Sequence, residues 1–142
     1  MPKIQIKPEK VEKKWHLFDA SKYVLGRMAT QIAKILLAKN KAIYSPQWDL
    51  GDNVVVINAR SVLLTGKKET QKKYIKHSTY PGGFKETKLA DLRLKKPEKI
   101  IRDAVWGMLP KGRLGHKIIN NLHVFSGKEH TFANVEFVNQ TI

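Results

Sequence analysis

The chain has 142 residues, with 27 Lys and Arg against 12 Asp and Glu, a formal charge of +15. That length fits one domain able to hide roughly two thirds of its unfolded surface in a single core, and 42% hydrophobic residues exclude a disordered chain. The absence of cysteine excludes disulfides, thiolate nucleophiles and cysteine zinc sites, while a charge excess this large calls for a polyanionic partner, nucleic acid first.

Residues 1–13 mix Lys, Pro and Glu and read as a basic N-terminal arm ahead of the domain. Glu9 and Glu12 argue against an organelle transit peptide, and no stretch approaches the roughly eighteen apolar residues of a membrane span, so a soluble intracellular protein is expected. Residues 15–20, "WHLFDA", alternate Trp15 and Leu17 against His16 and Phe18 and predict a short strand, with Asp19 and Ser21 offering turn oxygens. From Gly26 the period becomes helical. Met28, Ala29, Ile32, Ala33, Ile35 and Leu36 form an apolar stripe, Arg27, Thr30, Gln31 and Lys34 lie opposite, and Asn40 is the expected stop.

The run "NVVVINA", residues 53–59, lacks polar alternation and predicts a strand buried on both faces, completing a βαβ unit with a right-handed crossover. Residues 60–66 are expected to continue as a short strand ending at Thr65-Gly66, and the lysine-rich residues 67–88 to form a long, partly β-structured arm. Pro97 opens a helix with Ile100, Ile101, Ala104, Val105, Met108 and Leu109 on one stripe, which Pro110 ends at Met108 or Leu109. Residues 111–122 restart a short helix with Arg113, His116, Lys117 and Asn120 opposite Leu114, Ile118 and Leu122. Residues 123–127 read as a last strand, giving a single domain over 14–127 and a C-terminal tail over 128–142.

Catalytic and phosphate-loop motifs fail on their spacing. "TGKK" at 65–68 is not a P-loop, because Ser61 stands at the first glycine position and Lys68 replaces the magnesium-binding hydroxyl. "YPGGFK" lacks the three spaced glycines of a dinucleotide fingerprint. His16, His77, His116, His123 and His130 form no metal pair, and Asp49, Asp52, Asp91 and Asp103 have no paired spacing for magnesium. The basic clusters are the stronger signal. Lys67, Lys68, Lys72, Lys73, Lys76 and Lys85 are interleaved with Tyr74, His77, Tyr80 and Phe84, a mixture suited to neutralising phosphates and stacking on bases. Gly82 and Gly83 admit either a tight turn or close approach of another chain, and Trp106 admits either base stacking or burial at the core edge.

Five segments in order, "VLGRMAT" (24–30), "GDNVVVINA" (51–59), "LTGKK" (64–68), "KKYIKHSTYPGGFKE" (72–86) and "GMLPKGRLG" (107–115), resemble the bacterial and organellar family of large-subunit ribosomal protein thirteen. The resemblance implies a three-layer α/β/α domain with a small, mostly parallel central sheet of about four strands and a basic loop or β-arm. It implies binding to large-subunit rRNA during early subunit assembly, as a monomer beside neighbouring ribosomal proteins in the ribosome, in the cytoplasm or an organelle. It implies no catalytic site, cofactor or small-molecule substrate. Carried over by motif, the RNA-facing residues are Lys72, Lys73, Tyr74, Lys76, His77, Ser78, Tyr80, Gly82 and Gly83, with Lys111, Arg113, His116 and Lys117. Charge clustering adds Lys67, Lys68 and Lys85, and helix geometry adds Arg27 and Lys34. Trp106 departs from the Lys or Arg usual in the family. The alternatives are a phosphate-handling enzyme such as an RNA nuclease, and a free regulatory RNA-binding protein.

Overall fold

The computed structural model describes residues 11–139. Most of the predicted N-terminal arm and residues 140–142 of the predicted tail lie outside that range.

Strand β1 (Trp15–Asp19) turns His16 and Phe18 inward, as its alternation requires, and leaves Trp15 and Leu17 half-buried. Asp19 then closes a short 3-10 turn, its carboxylate accepting from the backbone N–H and hydroxyl of Ser21 and from the Asn58 amide. Helix α1 (Leu25–Leu36) follows and buries its predicted stripe. It ends four residues before the expected Asn40. Ala38 takes the left-handed conformation at φ +59, donating to the Ile35 carbonyl while Lys39 donates to Lys34, the paired bonds of a Schellman ending. Gly51 fixes that end from outside, since a Cβ there would stand 1.8 Å from the Leu36 carbonyl oxygen.

Strand β2 (Asn53–Ile57) is buried on both faces from Val54 onward. It stops because Asn58 adopts φ +56 and residues 59–61 coil into a 3-10 turn. The expected strand over 60–66 therefore does not form; Leu63 makes one isolated bridge to Val24, and its carbonyl accepts the Leu25 N–H. That bond satisfies one of the orphan donors at the start of α1.

Residues 67–88 form α2 (Lys68–Gln71), a single turn, and an antiparallel hairpin of β3 (Lys73–Lys76) and β4 (Lys85–Lys88). A helix absent from the sequence reading, α3 (Leu89–Lys95), comes next and buries Leu89 and Leu92. Helix α4 (Pro97–Met108) starts on Pro97 and ends at Met108 as expected. Helix α5 (Arg113–Ile118) runs through a 3-10 turn into β5 (Leu122–Val124), which begins one residue early and is shorter than predicted. Strand β6 (Phe137–Asn139) lies in the stretch read as a tail and pairs with β1.

The main sheet has the order β5-β2-β1-β6, with every pairing parallel. The class is α/β, with helices flanking a four-stranded parallel sheet. The connections from β1 to β2 and from β2 to β5 step the same way across the sheet, so the crossover rule carries their helices to one face. Residues from α1, α3, α4 and α5 accordingly join Phe18, Val54, Val56 and Leu122 in one buried cluster. The step from β5 to β6 reverses direction, and the opposite face is layered by this crossover. There Trp15 stacks on His123 at 5.8 Å between ring centres, and Phe132 lies 4.8 Å from Trp15 and 4.7 Å from His123. The layer on this second face is thus an aromatic loop, with no helix between residues 125 and 136.

The N-terminal edge of the sheet holds a buried ion network. Asp52, 1% exposed, contacts Lys41 at 2.5 Å, His16 Nε2 at 3.0 Å and the Lys14 N–H at 3.0 Å. Asp49 binds Lys13 at 2.8 Å and accepts from the Asn121 amide. These acids tie the long 37–52 loop to β1.

Candidate nucleic-acid interface

The hairpin's position follows from Tyr74. By strand alternation Tyr74, Lys76, Lys85 and Thr87 share one face, and Lys73, Ile75, Glu86 and Lys88 the other. Tyr74 packs against the core cluster, which pins the base of the hairpin to the body, and the Leu89 N–H donates to the Lys72 carbonyl beside it. Burial pushes the Tyr74 phenol above its ordinary pKa, with Asp103 adding to the effect. The Lys72 ammonium sits 5.3 Å from the centre of that ring. Tyr74 is therefore an anchor more than an open stacking platform.

Beyond the anchor the side chains are solvent-facing. Lys73, Lys76, His77, Ser78, Tyr80, Gly82 and Lys85 are exposed, Tyr80 to 79%. Lys73 alone of these is neutralised, by Glu86 at 2.6 Å. The tip is closed by backbone bonds from Ser78 N–H to Gly83 and from Gly83 N–H to Tyr80. Gly82 takes φ +74, and a Cβ on Gly83 would lie 1.8 Å from Ser78 Oγ and 2.9 Å from the Tyr80 carbonyl oxygen. Gly83 is thus required by the loop's own packing, whatever approaches it from outside. Lys88, opposite Lys73 in the ladder, belongs with these cations and was missed; the signal was its register, which needs the pairing to be known.

Lys67, Lys68 and Lys72 come together around an open hollow of about 350 Å³, completed by Thr65, Gly66 and Gln71. It adjoins the hairpin through Lys72. On α5, Arg113, His116 and Lys117 are exposed while Gly115 and Ile118 are buried, the division that the sequence pattern requires. Trp106 is half-buried against the core. Lys111 covers its ring at 4.6 Å and donates to its carbonyl, and His116 lies 4.7 Å away. Trp106 thereby props two of the predicted contact residues from beneath and is not an open platform. Arg27 and Lys34 project from α1, exposed and seven residues apart on one side of it.

Groups suited to catalysis are occupied elsewhere. His16 and Asp52 are buried together, and His123 and His130 lie within the aromatic layer. Burial pushes the Asp52 carboxyl up, but bonds from His16, Lys41 and the Lys14 N–H outweigh it and hold the group below its ordinary range. Among the described residues no three His, Asp or Glu side chains are placed to hold a metal ion, and no helix is long and apolar enough to cross a membrane.

Fold and surface together define a small, strongly basic parallel α/β domain that carries its exposed lysines on a hairpin, a one-turn helix and a short terminal helix. Residues 13–131 match the family model described as Ribosomal protein L13, and the chain belongs to that family. It is 50% identical over 94% of its length to the Large ribosomal subunit protein uL13 of Lachnoclostridium phytofermentans, covering 92% of that protein. It is 54% identical over 87% to the protein of the same name from Lachnospira eligens, again covering 87%. The corresponding protein of Aquifex aeolicus is 53% identical over 92% of the chain, with 90% of it covered.

Proposed function

We propose that the chain is a structural constituent of the large ribosomal subunit that binds large-subunit rRNA and supports early subunit assembly. The observation that carries this reading is family membership through relatives named for the large subunit, joined to a surface whose exposed lysines have few acids of their own. The RNA contacts are Arg27, Lys34, Lys67, Lys68, Lys72, Lys73, Tyr74, Lys76, His77, Ser78, Tyr80, Gly82, Gly83, Lys85, Lys111, Arg113, His116 and Lys117. Lysine and arginine neutralise phosphates and release their counterions, Tyr80 and His77 offer rings and edges to unstacked bases, and the Tyr74 and Trp106 anchors hold the two basic elements in place. In this reading the protein is a monomer within the cytoplasmic ribosome, beside other ribosomal proteins, and uses no cofactor or small-molecule substrate.

About eight phosphate contacts would weaken binding to large-subunit rRNA roughly ten-thousand-fold between 50 and 200 mM salt. A nearly flat salt dependence, or failure of the protein to sediment with large subunits at 50 mM salt, would remove the reading.

A further inference from the structure

In the β3–β4 ladder Lys76 stands directly opposite Lys85, so the two side chains leave the same face with Cβ atoms about 5 Å apart. Both are exposed. The strand residues sharing that face are Tyr74 and Thr87, neither of them acidic, while the one acid of the ladder, Glu86, lies on the other face bound to Lys73 at 2.6 Å. The second like-charge pair, Lys73 opposite Lys88, therefore has a carboxylate beside it. The pair nearer the tip has none on its face.

Like charges directly opposite weaken a ladder, and this hairpin is a separate two-stranded sheet, the least self-sufficient kind. One phosphodiester seated between the two ammoniums accepts a charge-assisted hydrogen bond from each and turns their repulsion into attraction toward a common centre. We infer that Lys76 and Lys85 form a cross-strand clamp for a single RNA backbone phosphate, and that filling the clamp tightens the hairpin tip. The inference rests on the rRNA-binding reading and names what one part of that surface holds.

The test uses the full chain, in vitro transcribed large-subunit rRNA, and the variants Lys76→Gln, Lys85→Gln and their double. One shared phosphate predicts that the affinity lost by the double variant between 50 and 200 mM salt is about threefold smaller than the wild-type loss. Each single variant should change less, because the remaining lysine keeps the phosphate. A difference near tenfold in the double, the value for two separate phosphates, or no difference at all, overturns the clamp. Lys85→Glu adds a second readout. It places a carboxylate opposite Lys76, so hairpin amides of the free protein should exchange more slowly while RNA affinity falls; faster exchange accompanying weaker binding makes the pair merely structural and overturns the clamp. Failure of the clamp leaves wild-type binding and its salt slope intact, whereas a wild-type protein without salt-dependent binding refutes the rRNA reading itself.

Discussion

Replacing Asp52 by Asn removes the charge at the centre of the buried network while keeping the side chain's shape. The carboxylate accepts from Lys14, His16 and Lys41; the amide retains one oxygen for the Lys14 N–H and turns an NH2 toward donors. Removing one partner of a buried ion pair costs about 3–5 kcal/mol, and the lower end applies because the Lys41 side chain keeps 18% exposure. An unfolding entropy of about 2.1 cal/mol/K per residue gives roughly 0.3 kcal/mol/K for a chain of this length, so about 3 kcal/mol lowers the melting temperature by about 10 °C. The pH dependence has a definite sign. The folded carboxyl titrates below its ordinary value of 3.8, so its stabilisation is fully present above that value and is lost as pH falls through the depressed folded pKa. Thermal melts followed by circular dichroism at pH 7 and pH 3 should show a gap between wild type and variant that is full at the first and smaller at the second. A variant melting within about 2 °C of wild type at pH 7, or a gap unchanged at pH 3, would refute the assignment of Asp52 as a structural anion.

Gly83→Ala should disorder the hairpin tip with little change in global melting, since the clash is with Ser78 and Tyr80 in the same loop; hairpin amide exchange and rRNA affinity report it, and adding Ser78→Gly should restore part of both. If Ser78→Gly rescues nothing, the crowding is not the reason for glycine there. Trp106→Ala removes a half-buried ring together with its contacts to Lys111 and His116, and about 2 kcal/mol of lost stability is expected from the truncation; unchanged urea midpoints would contradict its role as a prop. Burial, with Arg102 nearby, holds the His123 imidazole below its ordinary pKa of 6.5, so the fold should lose stability as pH drops below that value. His123→Gln should flatten the decline between pH 7 and 5, and an identical decline in the variant would show that another group causes it.

Elements with a long, clean period were legible: β1, β2, α1 and α4 appear where alternation or the helical stripe put them, and Pro97 and Pro110 bracket α4 as proline chemistry demands. What escaped depended on partners distant in sequence. The run Val62, Leu63, Leu64 looks like a strand, yet the turn at Asn58 has already left the sheet, and Leu63 instead caps α1. Asn40 has the right propensity to end α1, but the approach of Gly51 to Leu36 fixes the end earlier and puts Ala38 into the left-handed region. Helix α3 offers only two buried leucines, too few for a visible stripe, and β6 is three residues whose signal is its pairing with β1. At the site, the lysines themselves could be counted from composition, but the faces they occupy required the hairpin register, and the burial of Trp106 required Lys111 and His116 to fold over it.

The distribution of acids gives the surface its meaning. Among the described residues Asp49 and Asp52 tie the 37–52 loop to β1, and Glu69 pairs with Arg93 to join α2 to α3. These carboxylates are committed to holding the body together. Of the eighteen proposed RNA contacts, only Lys73 takes part in an ion pair, with Glu86. At these contacts the chain supplies little neutralisation of its own, and a bound polyanion would relieve the repulsion. Under the proposed reading stability and affinity separate by location: substitutions in the acid-tethered loops should act on folding, and substitutions among the proposed lysine contacts should act on RNA binding. Lys73 lies on the boundary, since its loss both breaks its pair with Glu86 in the hairpin and removes one of the proposed RNA contacts.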